Sequence, residues 1–192
     1  MNDELLRMMH SHGATLAGFA DLSPAPEESR RGFPRAISFC MALTPSIVAG
    51  ITRGPTLEYR AEYDRLNGVL TSLSNDVAAW LTARGFHAEA RPASHDIDWK
   101  TISSPFPHKM AATLSGLGWI GKCDLLVTPC YGSAVRFASV LTDAPLKTGT
   151  PETVSRCGDC HACVDVCPGK ACSGRNWTPG GRREDIWDPR KC

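Results

Sequence analysis

Apolar residues at Tyr59, Tyr63, Leu66, Leu70, Leu73, Val77 and Trp80 recur at steps of three and four, which places them on one face of a long core helix. The spacing predicts that helix over Leu57 to Phe86, with Gly85 closing it. A shorter amphipathic helix is expected over residues 2–12, where Leu5, Leu6, Met8 and Met9 precede Gly13. "TLAGFADLS" then reads as a strand. Ala36 to Leu43, "AISFCMAL", is a second strand, bounded by Pro34 and Pro45, and its nearly continuous apolar run suits burial on both faces. "HAEARPAS" reads as a short strand. "PHKMAATLSGLG" begins with proline and ends with glycine, as a short helix does. "DLLVTPCYGSAVRFASVLTDAPL" predicts two strands around a turn at Pro129 to Gly132. After the linker "LKTGTPET" regular periodicity disappears, so an α/β body over 1–150 and a small cysteine-rich segment over 151–192 are expected. No internal repeat or low-complexity tract is present.

Composition adds little to this until the cysteines are counted. A chain of 192 residues suffices for one well-buried domain with a small appendage. Its 21 basic and 20 acidic side chains leave a formal charge of +1, so bulk electrostatics selects neither nucleic acid nor an anionic membrane. "SRRGF" at Ser29 to Phe33 imitates a twin-arginine export motif, but a periodic stretch precedes it and Pro45 splits the apolar run that follows. No export signal is read there. No stretch reaches the roughly 18 to 20 apolar residues of a membrane span. Nine cysteines are many for this length, and four of them fall within eleven residues. Such crowding favours a metal in a reducing compartment over disulfides, and a cytoplasmic location is expected.

Cys157, Cys160, Cys163 and Cys167-Pro168 follow C-x2-C-x2-C-x3-C-P, the bacterial ferredoxin spacing for four-iron clusters. Zinc prefers two separated pairs, often with histidine, and His161 lies inside the run without a mate at zinc spacing. A 4Fe-4S cluster is the expected occupant, ahead of zinc and of a redox disulfide. In two-cluster ferredoxins the fourth cysteine of such a run serves the other cluster. Either Cys172 or Cys192 therefore completes a single cluster, or a second motif is missing from the chain; the ending on Cys192 favours the latter expectation.

"GLGWIGK", Gly116 to Lys122, contains G-x-G-x-x-G, and Asp143 lies at a suitable distance for a ribose contact. The context is wrong for a dinucleotide site, because a helix precedes the glycines and an extended segment follows them. Two readings stay open: a backbone made bare so that something flat or charged can approach, with Trp119 and Lys122 beside it, or a tight helix-to-strand connection that needs glycine for its turn.

The stretch "HKMAATLSGLGWIGKCDLLVTPCYGSAVRFASVLTDAPL", followed by "CGDCHACVDVCP", resembles the epoxyqueuosine reductase family, iron-sulfur and cobalamin proteins related to reductive dehalogenases. The resemblance is strongest over His108 to Pro168. It implies an α/β (α+β) fold: a nitroreductase-like body that holds a corrinoid and a ferredoxin-like C-terminal segment that feeds it electrons. Gly116, Gly118, Trp119, Gly121, Lys122 and His108 would then lie near the corrinoid. Cys157, Cys160 and Cys163 would bind the first cluster, and Cys167 with Cys192 would contribute to a second. Two departures stand out. Ile102 occupies the position, fourteen residues before the first loop glycine, where the family has a catalytic acid. Asp96, Asp98 and His108 are the nearby substitutes as proton donor. Cys123 and Cys130 replace other polar residues, and are expected to be small buried thiols in preference to extra ligands.

These readings predict a reductase in which electrons pass from a 4Fe-4S cluster to cobalamin or a similar redox cofactor. An electron donor such as ferredoxin or flavodoxin, a tRNA or small-molecule substrate, and no membrane partner complete the expectation. A noncatalytic electron carrier or cofactor-handling protein is the alternative, and a zinc-stabilised interaction module the third.

Overall fold

Strand β2 (Arg35–Ala42) has the alternation that sets the whole architecture. Successive side chains of a strand point to opposite faces. Ile37, Phe39 and Met41 enter one apolar cluster, and Ala36 enters another across the sheet. Because both faces are covered, the run is apolar apart from Arg35 at its start and the buried Ser38, close to the prediction. The computed structural model describes residues 1–94 and 97–192.

Four strands form the central sheet in the order β1-β2-β6-β3, with β1 (Leu16–Asp21), β3 (Ala88–Arg91) and β6 (Val135–Thr142) around β2. Every pairing is antiparallel. On one face lie α1 (Asn2–Ser11) and the long α4 (Leu57–Thr82), whose Leu66, Leu70, Leu73 and Val77 meet Phe39, Ala138 and Val140. On the other face α5 (His108–Leu114) sets Ala111 against Ala36, Leu141 and Phe106. Two short helices that periodicity did not reveal, α2 (Glu27–Arg30) and α3 (Pro45–Ala49), join these elements.

Helix α4 begins where Thr56 caps it, its Oγ1 accepting a hydrogen bond from the Tyr59 amide at 3.1 Å. Such a cap satisfies one of the amides that a helix start leaves without a partner. Thr56→Ala is expected to cost about 1 kcal/mol, which lowers the melting temperature of a chain this size by roughly 2–4 °C. A calorimetric scan checks it.

The two strands expected after Asp124 are present, and each has a different partner: β5 (Leu126–Val127) pairs back with β4 (Trp119–Ile120), whereas β6 joins the central sheet. The turn itself is present, closed by the bridge between Thr128 and Gly132. Glycine explains the preference. An added Cβ at Gly118 would stand 2.2 Å from the Val127 carbonyl oxygen, so the β4–β5 approach needs a residue without a side chain.

The cysteine-rich segment contains two one-turn helices, α6 (Ala162–Asp165) and α7 (Arg183–Ile186), and a bridge between Cys172 and Trp187. It packs onto the body, since Ile186, Trp177 and Trp187 share an apolar cluster with Ala112, Ile120 and Leu126. Among the described residues no helix is long and apolar enough to cross a membrane.

Candidate redox site

The two residues of β4 face different surroundings. Ile120 is buried in the apolar cluster shared with the C-terminal segment and forms part of a cavity wall, while Trp119 lies beside Cys157. The indole Nε1 of Trp119 and the Oγ of Ser155 are buried and close no hydrogen bond by distance and angle. Both lie near enough to Cys157 to favour its thiolate. Burial pushes the Cys157 thiol up, but Trp119, the Lys122 amide, Ser155 and the Lys122 charge together bring it below its ordinary value. Lys122 is itself buried, with its Nζ donating to the Gly158 carbonyl at 2.8 Å and standing 3.5 Å from His161 Nε2. Arg156 stacks over the Trp119 ring at 5.6 Å.

Around this point the thiols gather. Cys163 interacts with Cys123 and Cys157, and its thiol is pushed up by burial and by those two neighbours. Burial, Cys167 and Cys163 push Cys172 up to about 12. Cys167 accepts a hydrogen bond from the Ala171 amide at 3.3 Å, the largest of the interactions that hold its thiol below the usual range. Cys160 is exposed. The chain's last residues return to the same turn: an added Cβ at Gly169 would stand 2.1 Å from the Lys191 carbonyl oxygen and 3.8 Å from the Cys192 Cα.

Among the described residues no three His, Cys, Asp or Glu side chains converge tightly enough to hold a single metal ion. A four-iron cube spreads its cysteine ligands more widely than one ion does. Two buried donors without acceptors beside Cys157, and several mutually interacting thiols, fit a sulfur-ligated cluster.

The glycine loop stands between this thiol group and a cavity of about 920 Å³, at the upper end of the usual range for ligand sites. Its wall includes Met110, Leu114, Ile120, Trp177 and Trp187, with the Pro24–Pro26 turn at another side. Lys109 and Asp124 supply a charged pair, Nζ to Oδ1 at 2.6 Å, and Lys109 also donates to the Asp124 carbonyl at 2.9 Å. Burial raises the Asp124 carboxyl above its ordinary value despite the opposing Lys109 charge. Arg183 crosses from the C-terminal segment to the body, donating to the Ile102 carbonyl at 2.6 Å and the Thr101 carbonyl at 3.0 Å. The size and the broad apolar surfaces, including two indoles, fit a large flat ligand such as a corrinoid.

The sequence-predicted residues divide accordingly. Gly116 has φ +77°, and its missing Cβ leaves room for the Thr150 carbonyl, while Gly118 leaves room for Val127. Gly121 leaves room for the Val127 side chain, and a Cβ there would stand 3.5 Å from Cys123 Sγ. His108 has both ring nitrogens engaged: Nδ1 is 3.0 Å from Ser139 Oγ, and Nε2 donates to the Pro92 carbonyl at 3.1 Å. Ile102 lines the cavity, with φ +51°. Asp98 is bound within its own turn by the Lys100 amide and the Thr101 hydroxyl. Asp96 lies outside the described residues. Asp143, weighed for a ribose contact, is paired with His87 at 2.7 Å.

The expectation for Cys123 and Cys130 as small buried thiols is corrected. Cys130 is exposed in the β5–β6 turn, and half-buried Cys123 faces the thiol group instead of an apolar core. That role description belongs to Cys40, which is fully buried in β2 with its thiol pushed up to about 11 by burial. The cavity and the Lys109–Asp124 pair were missed, because their parts are far apart in sequence.

No protein-family model matches the chain. It is 34% identical over 118 residues to an epoxyqueuosine reductase of Synechococcus sp. (strain CC9605), covering 60% of this chain and 31% of that one. It is 44% identical over 57 residues to the epoxyqueuosine reductase of Listeria monocytogenes, covering 30% of this chain and 15% of that one. The chain thus spans about a third or less of these curated relatives. Among solved structures, a catabolic reductive dehalogenase in complex with 3-bromo-4-hydroxybenzoic acid superposes with a TM-score of 0.71 at 18% identity, over 87% of this chain and 25% of that one. An epoxyqueuosine reductase with an epoxyqueuosine-modified tRNA-Tyr stem loop superposes with a TM-score of 0.65 at 20% identity, over 100% of this chain and 55% of that one. Sequence and fold together make this chain a relative of the epoxyqueuosine reductases over the part of their length that it spans.

Proposed function

We propose that the protein is an iron-sulfur reductase of the epoxyqueuosine reductase type. In this reading Cys157, Cys160 and Cys163 hold a 4Fe-4S cluster, and Cys167 with Cys192 would contribute to a second. The observation that carries it is the position of β4, with Trp119 toward Cys157 and Ile120 in the cavity wall, so that one short strand separates the thiols from the ligand space. The relatives support the cofactors: one of the similar dehalogenase structures is described through B12-dependent dehalogenation.

A bound corrinoid supplies low-potential electron-transfer chemistry, while the protein supplies binding, orientation and electrostatics. Trp177 and Trp187 offer flat apolar surfaces to it, and Arg183 ties the segment that carries them to Thr101 and Ile102. The Lys109 ammonium holds a proton at the cavity wall, positioned by Asp124 at 2.6 Å. This pair is the proton-bearing group we assign in place of the acid that the family resemblance leads one to expect at Ile102. Trp119, Ser155 and Lys122 stabilise a negatively charged sulfur at Cys157. Electrons would come from a ferredoxin or flavodoxin, and the substrate would be a reducible group on a small molecule or on tRNA.

An electron carrier without its own substrate is the second reading, favoured by Ile102 at the expected acid position. Anaerobic reconstitution with iron, sulfide and cobalamin separates the two. About four irons per chain or more together with stoichiometric cobalt is the expected outcome for the reductase. Iron without cobalt points to the carrier, and neither metal overturns both.

A further inference from the structure

We infer that Cys123, on the β4–β5 loop of the body, is the fourth ligand of the cluster held by Cys157, Cys160 and Cys163. This rests on the cluster reading proposed above and adds a residue that lies outside the cysteine run. The loop places Cys123 next to the run at two points. The thiols of Cys123 and Cys163 are close enough to interact directly, and the amide of the preceding residue, Lys122, donates toward Cys157.

Both neighbours of Cys123 are fixed. Lys122 Nζ is bound to the Gly158 carbonyl at 2.8 Å, and Asp124 is bound to Lys109 through its carboxylate at 2.6 Å and its carbonyl at 2.9 Å. The Asp124 amide closes the turn on Gly121 at 3.0 Å, with Asp124 itself at φ +62°. A ligand held from both sides needs little reorganisation to bind.

Cys172 is the competing fourth ligand. Its thiol meets that of Cys167, which also accepts the Ala171 amide, and it lies within electrostatic reach of Cys163 and Cys123, so it borders the same group. Cys123 is preferred because the residue before it is anchored inside the run, Lys122 Nζ standing 2.8 Å from the Gly158 carbonyl and 3.5 Å from His161 Nε2. On ligation its S–H proton is released to solvent and the thiolate binds iron, with no change in oxidation state.

The test compares the wild-type chain with Cys123→Ser, Cys172→Ser and Cys130→Ser after anaerobic reconstitution with iron and sulfide alone. Iron and sulfide per chain, electron paramagnetic resonance before and after reduction, and alkylation of each cysteine are measured, with far-ultraviolet circular dichroism as the fold control. Iron in Cys123→Ser is expected to fall from about four to about three per chain or fewer. The oxidised protein should then show a three-iron signal, and in the wild type Cys123 should resist alkylation once the cluster is loaded. A Cys123→Ser chain with four irons and an unchanged spectrum overturns the inference while leaving the cluster reading intact, as does loss confined to Cys172→Ser. A wild-type chain that takes up no iron overturns the cluster reading itself, and the assignment of Cys123 with it.

Discussion

Cys163→Ala is expected to leave the reconstituted chain with almost no iron, a fall from about four per chain to near zero, while Cys130→Ala keeps the full complement. Cys163 sits among the other thiols: it interacts with Cys123 and Cys157 and contributes to raising Cys172. Alanine offers no donor and leaves those thiols around a gap. Cys130 is exposed in a turn, so its loss changes no neighbour in the group. Iron analysis and the visible sulfur-to-iron absorption of both variants check the pair. Full iron in Cys163→Ala would contradict the role of the ferredoxin-spaced run, and equal loss in both variants would show a general failure of assembly.

The run's significance was legible because ligand spacing along a loop is a local property, and four cysteines at the ferredoxin intervals encode it directly. Helix α4 and strand β2 were legible for a similar reason, since each is long enough for its own periodicity to show which face is buried. The exact end of α4 was not, because the chain past Thr82 still carries helix-compatible residues up to Gly85. Cys123 carried no such signal. A lone cysteine has no spacing, and its approach to Cys163 depends on a β4–β5 pairing that opposes Trp119 to Val127 across eight residues of sequence. The strands on either side of the Pro129 to Gly132 turn were legible but their partners were not, because β6 is held beside β2 by Ile37, Phe39 and Leu141 packing within a sheet covered on both faces. The cavity was equally hidden, since its walls bring together residues near 24, 102, 120 and 183.

Gly118→Ala is expected to cost more stability than Gly121→Ala, the other glycine of the Gly116 to Lys122 loop whose φ is not positive and whose nearest atom is the end of the Val127 side chain. A Cβ at Gly118 would stand 2.2 Å from the Val127 carbonyl oxygen, 2.9 Å from the Val127 carbonyl carbon and 3.2 Å from the Thr128 Cα, all of them backbone atoms. No rotamer change relieves such a clash, so β4 and β5 must separate. Because Trp119 and Ile120 follow at once, the displacement reaches both the Cys157 side and the cavity wall. A cost of about 3 kcal/mol is expected, the upper end for overpacking, with the melting temperature lowered by roughly 6–12 °C. Gly68→Ala is the matched control, since that glycine lies within α4 with open space where its Cβ would go. It should raise stability by about 0.5–1 kcal/mol. Thermal melts of the two apo variants test this, and a Gly118→Ala chain melting with the wild type would refute the close β4–β5 approach. The same approach presents Cys123 to Cys163, so Gly118→Ala should also lower iron uptake on reconstitution, whereas Gly68→Ala should leave it unchanged.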